Sequence, residues 1–134
     1  MANELILIVE DNEKNRKLVR DVLQVKGYQT LETETGEEGV RLARERRPAL
    51  ILMDIQLPGM NGIDALRQLR ADPVTRSIPV IAVTASAMTH DRQTIMAAGF
   101  DAYQSKPINV KDFLGAVRRM LDRGPGSAPA GDAS

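Results

Sequence analysis

Five short stretches along the chain carry the pattern of β-strands. Three are continuous apolar runs with β-branched residues, LILIV at 5–9, ALILM at 49–53 and PVIAV at 79–83. Such runs are typical of strands buried on both faces. Two weaker patterns, YQTLET at 28–33 and DAYQS at 101–105, predict two further strands.

The segments that follow these runs have the periodicity of amphipathic helices. Gly27 and Gly99 are predicted to end the first and fourth helices. Residues typical of helix N-caps precede four of the helices, namely Thr35 (with Glu38 in the capping box TGEE), Asn61, Thr89 and Asn109. The helical residues predicted to face the core are Leu18, Val22, Val25, Ile63, Leu66, Leu69, Ile95, Met96, Val110, Phe113, Leu114, Val117 and Leu121.

The predicted order is a strand followed by a helix, repeated five times. Strands buried on both faces that alternate with helices imply a parallel sheet covered on both sides. Right-handed crossovers restrict this arrangement to a doubly wound α/β fold. We assign residues 1–123 to this domain, and predict that residues 124–134, rich in Gly, Pro, Ala and Ser, form a flexible tail.

Composition narrows the possible functions. The 134 residues include 18 Lys plus Arg and 18 Asp plus Glu, so bulk charge predicts neither a nucleic-acid partner nor an anionic membrane surface. The absence of cysteine excludes disulfides, zinc–thiolate sites and thiol nucleophiles. No apolar run approaches the roughly 20 residues that span a bilayer, and no basic segment precedes the first run. We therefore expect a cytoplasmic protein without membrane insertion.

The chemically useful side chains stand where the predicted strands end. Glu10 and Asp11 follow the first strand, Asp54 the third, Thr84 the fourth and Lys106 the fifth. The carboxyl ends of parallel strands meet at one edge of the sheet, where open α/β folds bind their ligands. The sequence thus predicts three acids, a hydroxyl and an amine on one rim.

Each of these residues also has an ordinary structural explanation. An Asp at a strand end is often a turn or cap residue, Thr84 suits a strand, and Lys106 could be a solvated loop charge. Three converging carboxylates would repel one another, however, and would need a cation or a proton to coexist. An oxygen-only ligand set suits Mg2+, while an amine and a hydroxyl can bind phosphoryl oxygens. As a set, the residues favour phosphoryl transfer.

Four blocks of the sequence carry a family resemblance. LIVEDN at 7–12, LILMDIQLPGMNG at 50–62, IPVIAVTA at 78–85 and YQSKPI at 103–108 resemble the signature blocks of the response-regulator receiver domain, in order and spacing, over residues 4–123. The resemblance implies the CheY-like, flavodoxin-like fold with five parallel strands in the order 2-1-3-4-5. Among receivers, the sequence is most similar to stand-alone regulators of the DivK type, a cell-cycle and developmental class.

The resemblance implies a role for each acid of the rim. Asp54 is the expected phosphoacceptor, whose carboxylate attacks the phosphoryl group on a partner's histidine. Mg2+ is the expected cofactor, held by Asp11, Asp54 and the backbone carbonyl of Gln56, with Glu10 acting largely through water. Gln56 and Ser86 occupy positions that tune the lifetime of the phosphate in the family.

The resemblance also implies roles for the residues opposite the acids. Lys106 and the Thr84 hydroxyl are expected to bind phosphoryl oxygens together with the backbone N–H of Ala85. The bond between Lys106 and Pro107 is expected to be cis. Tyr103 is the expected switch residue, turning inward as Thr84 moves toward the phosphate, with an exposed aromatic side chain as the ordinary alternative.

The resemblance implies protein partners rather than substrates. His90 is the only histidine and cannot act as both donor and ligand, so a sensor histidine kinase or a histidine phosphotransferase must supply the phosphoryl group. The first helix, around Asn15, Lys17 and Leu18, would be a docking surface. A downstream protein effector would bind the face formed by helix 4, strand 5 and helix 5. The only catalysis expected is self-catalysed phosphoryl acceptance and slow autodephosphorylation.

Three rival interpretations remain open at this point. An aspartate-nucleophile phosphohydrolase would carry a second acid two residues after the nucleophile, where this chain has Gln56. A transcription factor would need a DNA-binding segment, and no basic helix or helix-turn-helix pattern follows Asp122. Within the receiver interpretation, the protein could pass phosphate onward in a relay or regulate a partner allosterically, and similarity to the DivK type favours the second.

Overall fold

Five strands and five helices alternate along the part of the chain that the structure describes. The computed structural model describes residues 3–85 and 89–123, and of 89–91 only the backbone. Ser86, the side chains of Thr89 and His90, and the predicted tail lie outside the described residues. The elements are β1 (Leu5–Val9), α1 (Glu13–Val25), β2 (Gln29–Thr33), α2 (Gly36–Arg46), β3 (Leu50–Asp54), α3 (Gly62–Ala71), β4 (Val80–Thr84), α4 (Thr89–Ala97), β5 (Ala102–Ser105) and α5 (Val110–Arg123).

The strands form one parallel sheet in the order β2-β1-β3-β4-β5, which confirms the predicted fold. Two strands run one residue further than predicted, since β3 includes Asp54 and β4 includes Thr84. Both residues are still held in the ladder, where Asp54 lies opposite Val83 and Thr84 opposite Ser105. The sheet therefore fixes the backbone of these two residues at its carboxyl edge.

The core has two layers, one on each face of the sheet, as strands apolar on both faces require. Leu7, Ile51 and Val80 point into the layer that also contains buried residues of α2, α3 and α4. Ile8 and Leu52 point into the opposite layer, whose members from α1 and α5 are Val19, Leu23, Phe113, Ala116, Val117 and Met120.

Helix caps account for most of the predicted boundaries. The side-chain oxygens of Thr35, Asn61 and Asn109 each accept a hydrogen bond from the backbone N–H three residues on, at 2.9–3.1 Å. Gly27 and Gly99, with φ of 91° and 114°, follow α1 and α4 and confirm the predicted stops. Asn12, which the sequence analysis did not select, caps α1 through Asn15 N–H at 2.9 Å.

Some predicted core positions are wrong. Leu18 and Val25 of α1 are 41% and 84% exposed, and Val19 and Leu23 are buried instead. Because α1 has apolar residues at both sets of positions, spacing alone cannot select the buried one. Met96 is exposed beside buried Ile95, since neighbouring residues on a helix point in different directions.

The first residue of α5 is a further wrong core prediction. Val110 is 42% exposed, one helical turn before buried Phe113. No helix in the described ranges 3–85 and 89–123 is long and apolar enough to cross a membrane.

A polar cluster ties the elements together at the amino edge of the sheet. Arg70, near the end of α3, donates hydrogen bonds to the carbonyl of Ile78 and to Asp101 Oδ2, both at 2.8 Å. The same oxygen of Asp101 accepts from the N–H of Val80 at 2.8 Å. One guanidinium and one carboxylate thus join α3 to the segments entering β4 and β5.

Candidate functional site

The predicted rim residues come together at the carboxyl edge of the sheet. Glu10 and Asp11 directly follow β1, and Asp54 ends β3, the strand paired with β1. Thr84 ends β4, and Lys106 follows β5. The neighbouring positions of these strands in a parallel sheet bring side chains from distant parts of the sequence to one place.

Three carboxylates form a compact acidic cluster. One oxygen each from Glu10, Asp11 and Asp54 lies within 4.8 Å of the other two. Glu10 and Asp54 are 4% and 3% exposed, whereas Asp11 is exposed to solvent. A donor set made only of carboxylate oxygens, open to water on one side, fits a hard divalent cation that keeps part of its hydration shell.

Lys106 is shared by the two buried acids of the cluster. Its Nζ lies 2.9 Å from Glu10 Oε1 and 3.1 Å from Asp54 Oδ2, with the side chain 17% exposed. Burial alone would lower the pKa of Lys106, but its hydrogen bonds to Glu10 and Asp54 outweigh this and the pKa is raised. Lys106 is therefore a charged ammonium inside the site and not a solvated loop charge.

Glu10 holds its proton unusually tightly for a carboxyl group. Burial raises the pKa of Glu10 to about 6, because desolvation penalises the charged form, and the Lys106 hydrogen bond lowers it only in part. The neighbouring Asp54 raises it further. One ammonium thus does not fully compensate two buried carboxylates, and a bound cation would relieve the remaining repulsion.

The backbone around Asp54 orients its carboxylate. Asp54 Oδ1 accepts a hydrogen bond from Gln56 N–H at 3.0 Å, while Oδ2 faces Lys106. The following loop returns to the strand, since Gly62 N–H donates to the carbonyl of Ile55 at 3.0 Å. A Cβ on Gly62 would lie 2.4 Å from the Asp54 carbonyl oxygen, so only glycine fits there.

The residues opposite the acids occupy the predicted positions. Thr84 is buried, and its carbonyl accepts a hydrogen bond from the Lys106 N–H at 2.8 Å, which links the ends of β4 and β5. Ala85 follows and is exposed. The bond between Lys106 and Pro107 is cis, as expected.

Tyr103 on β5 is partly buried against the core, in contrast to the alternative of an exposed aromatic side chain. The guanidinium carbon of Arg92 on α4 lies 5.6 Å from the centroid of the Tyr103 ring, within the range of a cation–π contact. Tyr103 therefore joins β5 to α4.

Two residues that support the site were missed in the sequence analysis. Asn12 N–H donates to Glu10 Oε2 at 3.1 Å, and Arg16 Nη1 donates to the Glu10 carbonyl at 3.0 Å. The N-cap preference of Asn12 just before a helix was a usable signal. No comparable signal marks Arg16, because its contact depends on the path of the loop between β1 and α1.

The comparisons with known proteins agree on one family. The family model of the response regulator receiver domain matches residues 6–118. Similar proteins include the polar-differentiation response regulators DivK of Brucella anthropi and Brucella ovis, 50% and 49% identical over 116 residues. Each match covers 87% of this chain and 94% of the relative.

Solved structures of receiver domains share the fold of this chain. The receiver domain of a sensor histidine kinase from Pseudomonas aeruginosa, which has a magnesium ion coordinated in its active-site cleft, has a TM-score of 0.84 and 35% identity, over 90% of this chain and 99% of that one. A CheY-like receiver domain protein from Methanospirillum hungatei has a TM-score of 0.80 and 30% identity, over 91% and 96%.

Proposed function

Because the chain belongs to the response-regulator receiver family, we propose that it is a phosphorylation-controlled switch whose phosphoacceptor is Asp54. One observation carries this proposal. The buried Asp54 carboxylate lies within reach of the Lys106 ammonium and the Gln56 N–H, beside the other two acids of the cluster. An acid held in this way is oriented for reaction.

The proposed reaction moves a phosphoryl group from a partner's phosphohistidine to Asp54. A carboxylate oxygen attacks phosphorus, the phosphorus–nitrogen bond breaks, and the electron pair leaves with the imidazole nitrogen, which takes up a proton. The product is an acyl phosphate on Asp54. Because such transfers need little covalent help from the protein, positioning and charge neutralisation are sufficient roles for the neighbouring residues.

We propose that Mg2+ is the cofactor, held by Glu10, Asp11, Asp54 and the backbone carbonyl of Gln56, with Glu10 acting largely through water. The compact oxygen-only cluster and the magnesium ion in the Pseudomonas aeruginosa receiver support this assignment. When bound, the ion supplies positive charge to the phosphoryl oxygens. Lys106, already charged and inside the site, would pair with a phosphoryl oxygen from the other side.

The proposed readout passes through Thr84 and Tyr103. The Thr84 hydroxyl and the Ala85 N–H would donate hydrogen bonds to the phosphoryl group, and Tyr103 would turn inward as Thr84 moves. The link between Thr84 and Lys106 at the ends of β4 and β5 supports this coupling. Movement of Tyr103 would disturb its contact with Arg92 and change the face of α4, β5 and α5 that we assign to a downstream effector.

A surface cavity of about 250 Å³ opens on that face beside Tyr103, lined also by Arg92 and Pro107, and supports its use in binding. The proposed phosphodonor is a sensor histidine kinase or a histidine phosphotransferase, which would dock on α1 near the rim. Leu18, Asn15 and Lys17 lie on the N-terminal half of that helix, and the exposure of Leu18 supports a docking role.

The similarity to the DivK regulators supports a stand-alone, cytoplasmic regulator that acts allosterically, with a relay intermediate as the second form of the same proposal. Slow autodephosphorylation would return the protein to its resting state. The rival phosphohydrolase activity is disfavoured because an exposed Gln56 stands where a second acid would act.

Phosphotransfer profiling tests the acceptor. Incubation with phosphorylated histidine kinases in Mg2+ is expected to label the wild type and to leave Asp54→Asn at background. Asp64→Asn is the matched control, because it makes the same chemical change at an exposed acid in the first turn of α3. Labelling of Asp54→Asn at the wild-type level would refute the assignment, and sustained turnover of small phosphate esters would favour the phosphohydrolase.

A further inference from the structure

Arg16 connects the loop that carries the metal-binding acids to a neighbouring strand. From the first turns of α1, its Nη1 donates to the Glu10 carbonyl at 3.0 Å. Its Nε lies 3.3 Å from Glu32 Oε1 on β2, and its Nη2 lies 3.8 Å from Glu34 Oε2. The side chains of Arg16 and Glu32 are only 15% and 26% exposed, so the contact between them is largely shielded from water, whereas Glu34 is exposed.

Glu32 is a firm anchor for this contact. It lies in β2 opposite Ile8 of β1, and it receives a second arginine, because Arg20 Nη1 lies 3.2 and 3.1 Å from its two carboxylate oxygens. Arg16 and Arg20 stand one helical turn apart and face the same acid. Arg16 also contacts the loop between β1 and α1, through the Glu10 carbonyl.

This arrangement fixes the loop without adding net charge to it. The connected ion pairs balance, with three positive charges on Arg16, Arg20 and Lys17 and three negative charges on Glu32, Glu34 and Asp21. An isolated cation beside the acidic cluster would oppose the entry of a divalent ion, whereas a balanced network does not. The planar guanidinium bonds the loop carbonyl through Nη1 and the anchoring carboxylate through Nε, two nitrogens at fixed positions, whereas a lysine would have to reach both acceptors from one nitrogen.

We propose that Arg16 is a positioning residue that holds Glu10 and Asp11 in the geometry that binds Mg2+ and thereby sets the affinity of the cluster for the ion. This inference rests on the proposed function, in which those two acids and Asp54 are the ligands. Arg16 touches no reacting atom and acts only through the backbone of Glu10. Residues that orient metal ligands commonly change metal affinity by 10- to 100-fold when they are replaced.

The test is Mg2+ binding by the whole protein, measured by calorimetric titration with magnesium chloride alone. Arg16→Met keeps the apolar stem and removes the guanidinium, and is expected to raise the dissociation constant about tenfold. Arg16→Lys keeps the charge but not the planar fork and is expected to remain several-fold weaker than the wild type. The matched control is Arg20→Met, which removes the other arginine from Glu32 and is expected to bind Mg2+ within about twofold of the wild type.

A second measurement separates positioning from general damage. With phosphoramidate as a small phosphodonor, Arg16→Met is expected to need more Mg2+ for half-maximal labelling while reaching the wild-type rate at saturating Mg2+. A lower rate at saturation, equal loss of affinity in Arg20→Met, or wild-type affinity in Arg16→Met would overturn the inference. If Arg16→Met does not fold, wild-type affinity in Arg16→Lys would overturn it as well.

Different results would contradict the proposed function and the role of Arg16. If the wild type binds no Mg2+, both the metal assignment and the role of Arg16 are wrong. If the wild type binds Mg2+ and Asp54→Asn abolishes labelling, but the Arg16 variants bind as the wild type does, only the role of Arg16 is wrong.

Discussion

Gly62, the first residue of α3, stands directly against the strand residue that we assign as phosphoacceptor. In Gly62→Ala, the new Cβ would lie 2.4 Å from the Asp54 carbonyl oxygen and 2.9 Å from Ile55 Cα. Both atoms belong to the backbone, so no side-chain rotation can relieve the contact. The loop or the end of β3 must therefore move by more than about half an ångström, in the manner of an overpacked core.

The expected cost follows from two opposing effects. Overpacking costs about 1–3 kcal/mol, and contact with fixed backbone places this case near the upper end. Alanine gains up to about 1 kcal/mol over glycine in a helix. We therefore expect Gly62→Ala to lower the free energy of unfolding by about 2 kcal/mol, and to slow labelling because the Asp54 carbonyl is displaced.

Urea unfolding followed by circular dichroism measures this change. Gly115→Ala in the interior of α5 is the matched control, because its Cβ would meet only the flexible end of Arg119 at 3.4 Å. That control is expected to raise the free energy of unfolding by about 0.5–1 kcal/mol, with an unchanged denaturant slope. Stabilisation of similar size in both variants would refute the steric reasoning.

Three further predictions concern the charged groups of the site. In the metal-free protein, the free energy of unfolding should fall as the pH rises from 4.5, the ordinary pKa of a glutamate, to about 6, the pKa of Glu10 in the folded state. The reason is that the folded state binds the Glu10 proton more tightly than the unfolded state does. Glu10→Gln should remove this part of the pH profile. Asp11→Asn should change the unfolding temperature little without Mg2+, because Asp11 is exposed, but should remove most of the stabilisation that added Mg2+ gives the wild type. Lys106→Ala should cost on the order of 2 kcal/mol in a chelator at pH 8, since two buried carboxylates lose their ammonium, and Mg2+ should restore much of the loss.

Each of these predictions has a contrary result. An unchanged pH profile in Glu10→Gln would mean that Glu10 does not hold a proton in the folded state. Wild-type Mg2+ stabilisation in Asp11→Asn would remove Asp11 from the ligand set. Unaltered stability of Lys106→Ala in the chelator would mean that Lys106 does not neutralise the two acids.

Much of the architecture was predictable because the chemically reactive residues of this sequence lie directly at the ends of the apolar strand runs. LILM runs directly into Asp54, and VIAV directly into Thr84. Once strands buried on both faces imply a parallel sheet, its carboxyl edge must collect these residues. The caps at Thr35, Asn61 and Asn109 were predictable for a related reason, since their interactions span only three residues.

The remaining features depend on contacts that local patterns do not encode. The buried face of α1 could not be chosen by spacing, because two apolar sets, one containing Leu18 and the other Val19, have the same period. The contact of Arg16 with the Glu10 carbonyl depends on where one loop lies relative to β2. The sharing of Lys106 between two acids likewise depends on the separation of strand ends in space.

The cluster of Arg70 and Asp101 has a consequence for how the domain can move. It locks the entry of β4 and β5 at the edge opposite the acids, through hydrogen bonds of 2.8 Å. A displacement that starts at Thr84 should therefore be largest at the carboxyl edge and vanish toward Asp101. We expect backbone amides near Val80 to exchange with solvent as slowly after phosphorylation as before it. The carboxyl edge of the sheet would then change its conformation while the amino edge maintains the stability of the fold.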